Sequence, residues 1–196
     1  IIYNIKEIIT PHRSLSHRGD EMKQLESITG GFIAIRNGKI IDYGKGNHSK
    51  YISESTYLHD AKDNIVIPGL IDSHTHLVHA GSRENEFRKK IKGVPYLKIL
   101  EQGGGIHSTV EATRTANFDE LLQKAYKSLD EMLLLGVTTI EAKSGYGLNY
   151  ETEVKQLEVA KKLNEIHPID IVSTYLGAHA IPQEFRDNKD EYINSV

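Results

Sequence analysis

The chain has 196 residues, the length of one ordinary domain, and 38% of them are hydrophobic, which supports a packed core rather than disorder. Its 24 basic and 27 acidic residues give a net charge of −3 without a long basic run, so we expect neither a nucleic-acid partner nor binding to an anionic membrane. No apolar run approaches the ~20 residues of a membrane span, and no leader precedes Ile1, so we expect a cytoplasmic protein that acts on a small-molecule substrate.

The absence of cysteine limits the kinds of metal site that the chain can build. It excludes disulfides and thiolate ligands, so any metal ion must be held by His, Asp, Glu or water. The chain also opens at Ile1 without Met and ends at Val196 without a closing element. We therefore expect a fragment of a longer protein.

Residues 1–67 are predicted to form a small β-rich unit without a catalytic cluster. Residues 1–9 have strand composition, and the polar residues 11–27 are predicted to be a loop. Asn37-Gly38 lies between two apolar runs, which predicts a hairpin because its tight turn needs positive φ at both central residues. The histidines of this unit have polar neighbours and are expected on the solvated surface: His12, His17, His48 and His59.

The segment with the most chemical information reads IVIPGLIDSHTHLV at residues 65–78. It predicts a strand that is broken at a Pro-Gly step and resumes at Leu70. Since side chains alternate across a strand, Asp72, His74 and His76 are expected on one face, where the two imidazoles can converge on one metal ion. Imidazole suits zinc and iron. The alternative is a pair of hydrogen-bonded histidines on a half-buried strand, but the pair behind an Asp favours ligands.

The next stretch is predicted to be a loop followed by short helices. Small residues after His76 let the backbone turn, and Arg83 projects from this loop. Residues 84–100 are predicted to be helical in two pieces divided at Gly93 and Pro95. The glycine triplet at 103–105 lacks the ending of a nucleotide-binding loop and does not follow a strand, so we interpret it as a tight turn. His107 is interpreted as a bystander.

The remaining sequence alternates between helix and strand. Asn117, with Glu120 three residues later, predicts the start of an amphipathic helix that ends at Gly136. A strand is predicted at 137–143, followed by a turn that presents Tyr146. A second helix follows Asn149, and a third strand at 169–176 leads to His179.

This order of strands and helices is typical of a parallel sheet with right-handed crossovers. The notable polar side chains all follow strands: His74 and His76 the first, Tyr146 the second and His179 the third. Both a (β/α)8 barrel and a doubly wound sheet place their sites at that end of the strands. The residues from Pro68 onward amount to about half of the ~250 residues that a complete barrel takes.

The motif PGLIDSHTH at residues 68–76 resembles the first-strand signature of the amidohydrolase superfamily. Further motifs resemble the imidazolonepropionase family: AGSRE at 80–84, GGGI at 103–106, EAKSGYGL at 141–148 and YLGAHA at 175–180. The resemblance implies an α/β fold in which residues 1–67 are the N-terminal part of a small β-sandwich. Residues 68–196 are then the first strands of a partial, TIM-type (β/α)8 barrel, truncated in this chain.

The resemblance also implies an activity and roles for particular residues. The activity is metal-dependent hydrolysis of the ring amide of 4-imidazolone-5-propionate to N-formimino-L-glutamate, a step of histidine degradation. His74 and His76 match ligands of one divalent ion, zinc or iron. The positions that match substrate contacts are Arg83, Tyr146 and His179. The other metal ligands and the catalytic Glu are expected on later strands, so no catalytic residue is assigned here.

Each substrate position has a plainer structural alternative. Arg83 can form a surface salt bridge with Glu84 or Glu86, although its planar fork suits a propionate carboxylate. Tyr146 can pack under a loop, and His179 can cap a helix or support a ligand. His79 and His107 depart from the family's pattern, and we expect neither to contact a matched site residue.

Two other functions stay open. The chain can belong to another cyclic amidase or a deaminase of the same superfamily, or it can be a catalytically silent binding module, because it carries two metal ligands where catalytic sites commonly have three or more. For the full-length protein we expect a homodimer.

Overall fold

Two units, Ile1–Pro68 and Gly69–Val196, make up the computed structural model of the protein. The structure describes residues 1–11, 17–101 and 103–196, so His12 lies outside the described residues. The boundary between the units falls at the Pro-Gly step inside the segment 65–78. The two strands on either side of that step accordingly belong to different sheets.

The first unit contains a five-stranded sheet in which β1 is central. The strands are β1 (Ile2–Pro11), β2 (Leu25–Arg36), β3 (Lys39–Gly44), β4 (His59–Asp60) and β5 (Ile65–Val66). The strand order is β3-β2-β1-β4, and β5 also pairs with β1. The pairs β1·β2 and β2·β3 are antiparallel, whereas β4 and β5 run parallel to β1. A small core of Ile5, Ile8, Ile33 and Ala61 lies on this sheet.

The predicted hairpin turn is confirmed, but the predicted loop before it is partly wrong. Asn37 and Gly38 have φ values of +52° and +73°, and Arg36 pairs with Lys39 around them. In contrast, β2 begins at Leu25, which pairs with Pro11 at the end of β1. Polar composition suggested a loop here, yet the ladder of backbone hydrogen bonds to β1 satisfies these residues whatever their side chains are.

The second unit contains a three-stranded parallel sheet, in the order β6-β7-β8, and six α-helices within the part of the chain that the structure describes. In chain order the elements are β6 (Leu70–Thr75), α1 (Glu84–Ile91), α2 (Tyr96–Glu101), α3 (Ile106–Thr115), α4 (Phe118–Leu134), β7 (Val137–Lys143), α5 (Tyr150–Ile166), β8 (Asp170–Thr174) and α6 (Lys189–Ser195). The fold is of the α/β class, as the sequence predicted.

The core of the second unit lies between the sheet and helices α4 and α5. Leu129, Val159 and Leu163 of the helices pack with Ile140 of β7 and are fully buried. Helix α4 begins with the predicted capping box, in which Asn117 and Glu120 exchange hydrogen bonds. No helix within the described ranges is both long and apolar enough to span a bilayer.

Helix α3 was not predicted, because its sequence is rich in threonine, which has a weak intrinsic preference for helix. The buried Thr113 hydroxyl donates to the Thr109 carbonyl oxygen at 2.7 Å, so the side chain is satisfied within the helix itself. Helix α6 was not predicted either. Its Tyr192 is buried and donates from its hydroxyl to the Gly177 carbonyl oxygen at 2.6 Å.

Candidate functional site

Four aromatic rings, one from β6 and three from the loops that follow β6, β7 and β8, form one cluster at the carboxyl ends of the parallel strands. The His76 ring lies at the centre, 4.6 Å between centroids from both Tyr146 and His179. His74 lies 5.8 Å from His76, and Tyr146 lies 5.8 Å from His179. The structure therefore brings together four of the five residues that the sequence singled out. We call them the ring cluster.

The end of β6 places the two histidines side by side, although not by simple alternation. The pairing of β6 with β7 shifts by one residue between Asp72 and Thr75, which is the signature of a bulge. The Asp72 carboxylate accepts from the His74 backbone amide at 3.1 Å, and the Thr75 hydroxyl donates to the Glu141 carbonyl oxygen at 3.0 Å. These bonds hold the strand end from which both imidazoles project.

The His76 imidazole is kept neutral by its surroundings. Burial, and then the charge of His179, lower the pKa of His76 to about 4 against an opposing backbone hydrogen bond at Ser144. The Nδ1 atom of His76 is buried and has no hydrogen-bond partner among the described residues. A neutral ring with an unsatisfied nitrogen is the form of histidine that binds a metal ion.

His74 and His76 can supply part of the ligand set of a metal site, but not all of it. Within residues 1–11, 17–101 and 103–196 no group of three or more His, Asp or Glu side chains is arranged to hold a metal ion. Two imidazoles are fewer than the three protein ligands usual in catalytic zinc sites. The pair His74 and His76 therefore suits two positions of a coordination shell that needs further ligands.

The loop that carries Tyr146 approaches His179 closely. Gly145 has φ of +109°, and a Cβ atom there would lie 2.8 Å from the Cβ of His179. Only glycine combines this backbone conformation with so close an approach. The Ser144 hydroxyl accepts from the Leu176 amide at 2.9 Å, which ties the loop after β7 to the loop after β8.

Arg83 is paired in this structure with a buried carboxylate. Its Nε lies 3.1 Å from Oε2 of Glu86, and its side chain is 35% exposed. The other oxygen of Glu86 accepts from the Gly105 amide at 2.7 Å and from the Ser108 hydroxyl at 3.3 Å. Burial raises the pKa of Glu86, but the Gly105 amide and the Arg83 guanidinium outweigh it and hold the pKa below its usual value. The salt bridge considered as an alternative for Arg83 is thus present.

The strand ends also carry an ion pair that the sequence did not indicate. Lys143 of β7 pairs with the carboxylate of Glu141 on the same strand face, and the Thr174 hydroxyl of β8 donates to that carboxylate at 2.7 Å. The Lys143 and Thr174 bonds lower the pKa of Glu141. The Glu141 carboxylate therefore stays ionised at neutral pH.

Three further residues near the cluster were missed. His79 packs edge-on against Tyr146 at 5.8 Å, so the expectation that it would avoid the site residues is wrong. Glu153 of α5 binds the Tyr146 loop, and Gln156 donates from Nε2 to the Val78 carbonyl oxygen at 2.6 Å. In the sequence, Glu153 and Gln156 look like polar positions on an exposed helix face. No local signal distinguishes them from exposed residues.

Comparison with known proteins supports the predicted relationship. The chain is 51% identical over 199 residues to an imidazolonepropionase of Alkaliphilus metalliredigens, covering 100% of this chain and 47% of the relative. It is 51% identical over 201 residues to that of Fusobacterium nucleatum subsp. nucleatum, covering 100% and 48%. It is 53% identical over 179 residues to the imidazolonepropionase of Streptococcus pyogenes serotype M6, covering 91% of this chain and 42% of the relative.

The resemblance to the imidazolonepropionase family is confirmed, and the chain matches the N-terminal part of these relatives. It spans about half the length of the curated relatives it matches. No protein-family model matches the chain.

Solved structures resemble this one at the level of the fold. E. coli guanine deaminase matches with a TM-score of 0.57 at 17% identity, covering 87% of this chain and 36% of that protein. A guanine deaminase from Bradyrhizobium japonicum matches with a TM-score of 0.55 at 18% identity, covering 97% and 40%. At this identity the likeness concerns the fold alone.

Proposed function

We propose that this chain is the N-terminal part of a metal-dependent hydrolase that opens the ring amide of 4-imidazolone-5-propionate to give N-formimino-L-glutamate in histidine degradation. The observation that carries the proposal is the ring cluster. It assembles His74, His76, Tyr146 and His179 from three strand ends in a chain that shares about half of its residues with imidazolonepropionases.

The proposed architecture is the beginning of a (β/α)8 barrel preceded by part of a β-sandwich. Three parallel strands follow one another in chain order, as barrel strands do. Leu70, Ile71 and Val172 on these strands are exposed, which is unusual for large apolar residues of a parallel sheet. Further strands and helices of the same barrel would cover these side chains.

His74 and His76 are the proposed ligands of one divalent ion, zinc or iron. The neutral state of His76 and its unsatisfied Nδ1 support this role. When bound, such an ion activates a water molecule and polarises a carbonyl oxygen. The residues of this chain would fix the position of the ion, while the remaining ligands and the proton-transferring residue lie elsewhere in the protein.

Arg83 is the proposed anchor of the substrate's propionate group. Its ion pair with Glu86 uses Nε, an arrangement in which the two terminal nitrogens can point away from Glu86. Those two nitrogens form the planar fork that binds a carboxylate through two parallel hydrogen bonds. Glu86 would then hold the guanidinium in place rather than compete with the substrate.

Tyr146 and His179 are proposed to contact the substrate ring. Both rings flank His76, so a substrate at the metal would lie within reach of both. The Tyr146 hydroxyl and the His179 nitrogens can each make a hydrogen bond to a ring amide.

Two alternatives remain testable. Another cyclic amidase or a deaminase would use the same pair of histidines, and a silent binding module would keep the fold without turnover. The identity of the small-molecule substrate distinguishes these functions. The cytoplasmic location and the homodimer of the full-length protein stay predictions.

The experiment is a comparison of substrates with the complete protein loaded with zinc or iron. We expect turnover of imidazolone propionate to exceed that of guanine, cytosine and dihydroorotate by orders of magnitude. The 196-residue chain alone should turn over none of them, because its two histidines do not complete a metal site. Preference for guanine or cytosine would identify a deaminase, and metal-loaded protein without any turnover would identify the silent module.

A further inference from the structure

We infer that Glu153 is a positioning residue that holds the backbone of residues 144–148 and thereby fixes the Tyr146 ring for the reaction. The expected effect of Glu153 on turnover rests on the proposed function. The claim that Glu153 fixes the loop rests on the hydrogen bonds alone.

The Glu153 carboxylate is fully buried and is bonded to three backbone amides of this loop. Its Oε2 accepts from the Gly145 amide at 2.8 Å, and its Oε1 accepts from the amides of Gly147 and Leu148, each at 2.8 Å. The bonded amides lie on both sides of Tyr146. Hydrogen bonds from backbone amides to a carboxylate are charge-assisted and stronger than those between neutral groups.

The position of Glu153 on α5 favours its negative charge. Glu153 lies in the first turn of that helix, where the helix dipole stabilises an anion. The carboxylate is thus stabilised by the helix dipole and by the three loop amides that donate to it. Burying an acid is costly when its oxygens are unpaired, so the three amides explain why it can remain in the core.

Arg114 of α3 binds the carbonyl groups of the same loop. Its Nε donates to the Gly147 oxygen at 2.7 Å, and its Nη2 donates to the Leu148 oxygen at 3.1 Å. Its Nη1 lies 2.7 Å from the carboxylate of Glu184. The loop is therefore held by a carboxylate at its amides and by a guanidinium at its carbonyls. We call this pair, Glu153 and Arg114, the loop clamp.

The loop clamp matters for Tyr146 because the backbone on both sides of this residue sets the direction in which its ring projects. Tyr146 projects from the held backbone onto His76, with centroids 4.6 Å apart, and next to His179 at 5.8 Å. A hydroxyl that hydrogen-bonds a small substrate is more effective when its backbone is already fixed in the right position before the substrate binds. Loosening the loop would move the ring without removing any group that touches the substrate.

Glu153→Gln is the variant that tests the clamp with the least change in shape. Gln keeps one oxygen for Gly147 and Leu148, but its amide nitrogen would face the Gly145 amide, donor against donor. Glu158→Gln is the matched control, since Glu158 is an exposed acid on the same helix. Arg114→Gln is the second variant if Glu153→Gln fails to fold.

The first measurement is amide hydrogen exchange of the complete protein, followed by mass spectrometry of peptides covering residues 144–149. We expect exchange in this segment to become at least about tenfold faster in Glu153→Gln and in Arg114→Gln, with no change in β7 or α4. Glu158→Gln should behave as the wild type. Unchanged exchange at 144–149 would overturn the clamp, and faster exchange across the whole second unit would assign Glu153 to general stability instead.

The second measurement is a double-mutant cycle on turnover of imidazolone propionate. Misplacing Tyr146 should lower kcat/KM by roughly 10- to 100-fold in Glu153→Gln, with metal content unchanged. In a Tyr146→Phe background the same substitution should cost less than about threefold. Effects that multiply fully would show that Glu153 does not act through Tyr146. If the wild-type protein has no turnover, the proposed function fails, while the exchange experiment still decides the clamp.

Discussion

The histidines of the two units have different surroundings although both units are built on sheets. In the first unit, His48 packs against Tyr3 and Phe32, each at 5.7 Å between centroids, and His59 lies 6.5 Å from Tyr57. In the second unit, three histidines share one cluster. His76 lies within 5.8 Å of His74 and 4.6 Å of His179.

The direction of the strands explains this difference. In the first sheet β1, β2 and β3 alternate in direction, so consecutive loops lie at opposite ends of the sheet. In the second sheet all three strands are parallel, so the loops that follow them meet at one edge. The histidines of the first unit stay separate, whereas those at the ends of the parallel strands of the second unit are brought together.

The largest expected effect is the loss of metal from the second unit. In the complete protein, His76→Ala and His74→Ala should each abolish tight metal binding, because each removes one of two adjacent imidazole ligands. His48→Ala, in the first unit, should keep full metal content. Elemental analysis of metal per chain after dialysis is the measurement, with circular dichroism to show that each variant is folded.

Stoichiometric metal in either His74→Ala or His76→Ala would refute the ligand assignment. Loss of metal in His48→Ala would break the comparison itself, since it would mean that the histidines of the first unit also take part. His107→Ala is a second control, and it should retain metal because His107 is not part of the ring cluster.

The next effect concerns the substrate and the arginines of the two units. Arg83→Ala should cost about 2–5 kcal/mol in kcat/KM for imidazolone propionate, the usual range when a buried carboxylate loses its cation. Arg83→Lys should also lower kcat/KM, because an ammonium cannot donate two parallel bonds. Arg36→Lys, at an exposed position of β2, should have no effect.

An analogue without the propionate carboxylate sharpens this experiment. It should be a poor substrate for wild type and for Arg83→Lys alike, so the difference between the two proteins should narrow. Wild-type kcat/KM in both Arg83 variants would mean that the ion pair with Glu86 is the whole role of Arg83, and the substrate assignment would lose its main support.

The sequence predicted the convergence of the rings but not what holds them. His74, His76, Tyr146 and His179 each follow a predicted strand, and the rule for parallel sheets is enough to bring them to one edge. Glu153 could not be recognised in this way. An acid in the first turn of a helix is already explained by the helix dipole, and its contact with a distant loop amide arises only from tertiary packing.

Local signals were also sufficient for part of the fold. The Asn37-Gly38 turn and the capping box at Asn117 depend on a few neighbouring residues, so they were predicted at the right positions. The start of β2 at Leu25 depends on its pairing with Pro11, fourteen positions away in the chain, and helix α3 depends on the packing of a threonine-rich face. Propensity and periodicity carry no information about such pairings.

An effect of similar size, on stability rather than turnover, is expected in the cores of the two units. The buried apolar cluster of the second unit is larger than that of the first, and Leu129 is fully buried within it. Leu129→Ala should lower the free energy of unfolding by about 2–5 kcal/mol, because it removes buried methyl groups and leaves a cavity. Leu134→Ala, on the same helix but 87% exposed, should change it by less than about 0.5 kcal/mol. Urea unfolding followed by circular dichroism compares the two, and equal effects would place Leu129 outside the core.

The smallest expected effect lies at the start of α4, in the unit where helices rather than hairpins connect the strands. Asn117 Oδ1 accepts from the Glu120 amide at 2.9 Å, and Glu120 Oε2 accepts from the Asn117 amide at 2.9 Å. Asn117→Ala should lower the free energy of unfolding by about 1 kcal/mol, the typical value of an N-cap, whereas Asn117→Ser should be nearly neutral.

Asn149 provides the matched comparison within the same unit, because it caps α5 through a single bond from the Thr152 amide at 2.8 Å. Asn149→Ala and Asn117→Ala should therefore have similar costs, because each removes one side-chain acceptor. Glu120→Ala tests the reciprocal bond, which Glu120 Oε2 accepts from the Asn117 backbone amide, and it should also lower the free energy of unfolding. Asn37 of the first unit serves a different purpose, since its φ of +52° rather than a cap selects the residue. Asn37→Gly should be tolerated there, because glycine adopts positive φ without steric cost. If Glu120→Ala leaves urea unfolding unchanged, the capping box adds nothing beyond the single bond that the Asn117 side chain accepts.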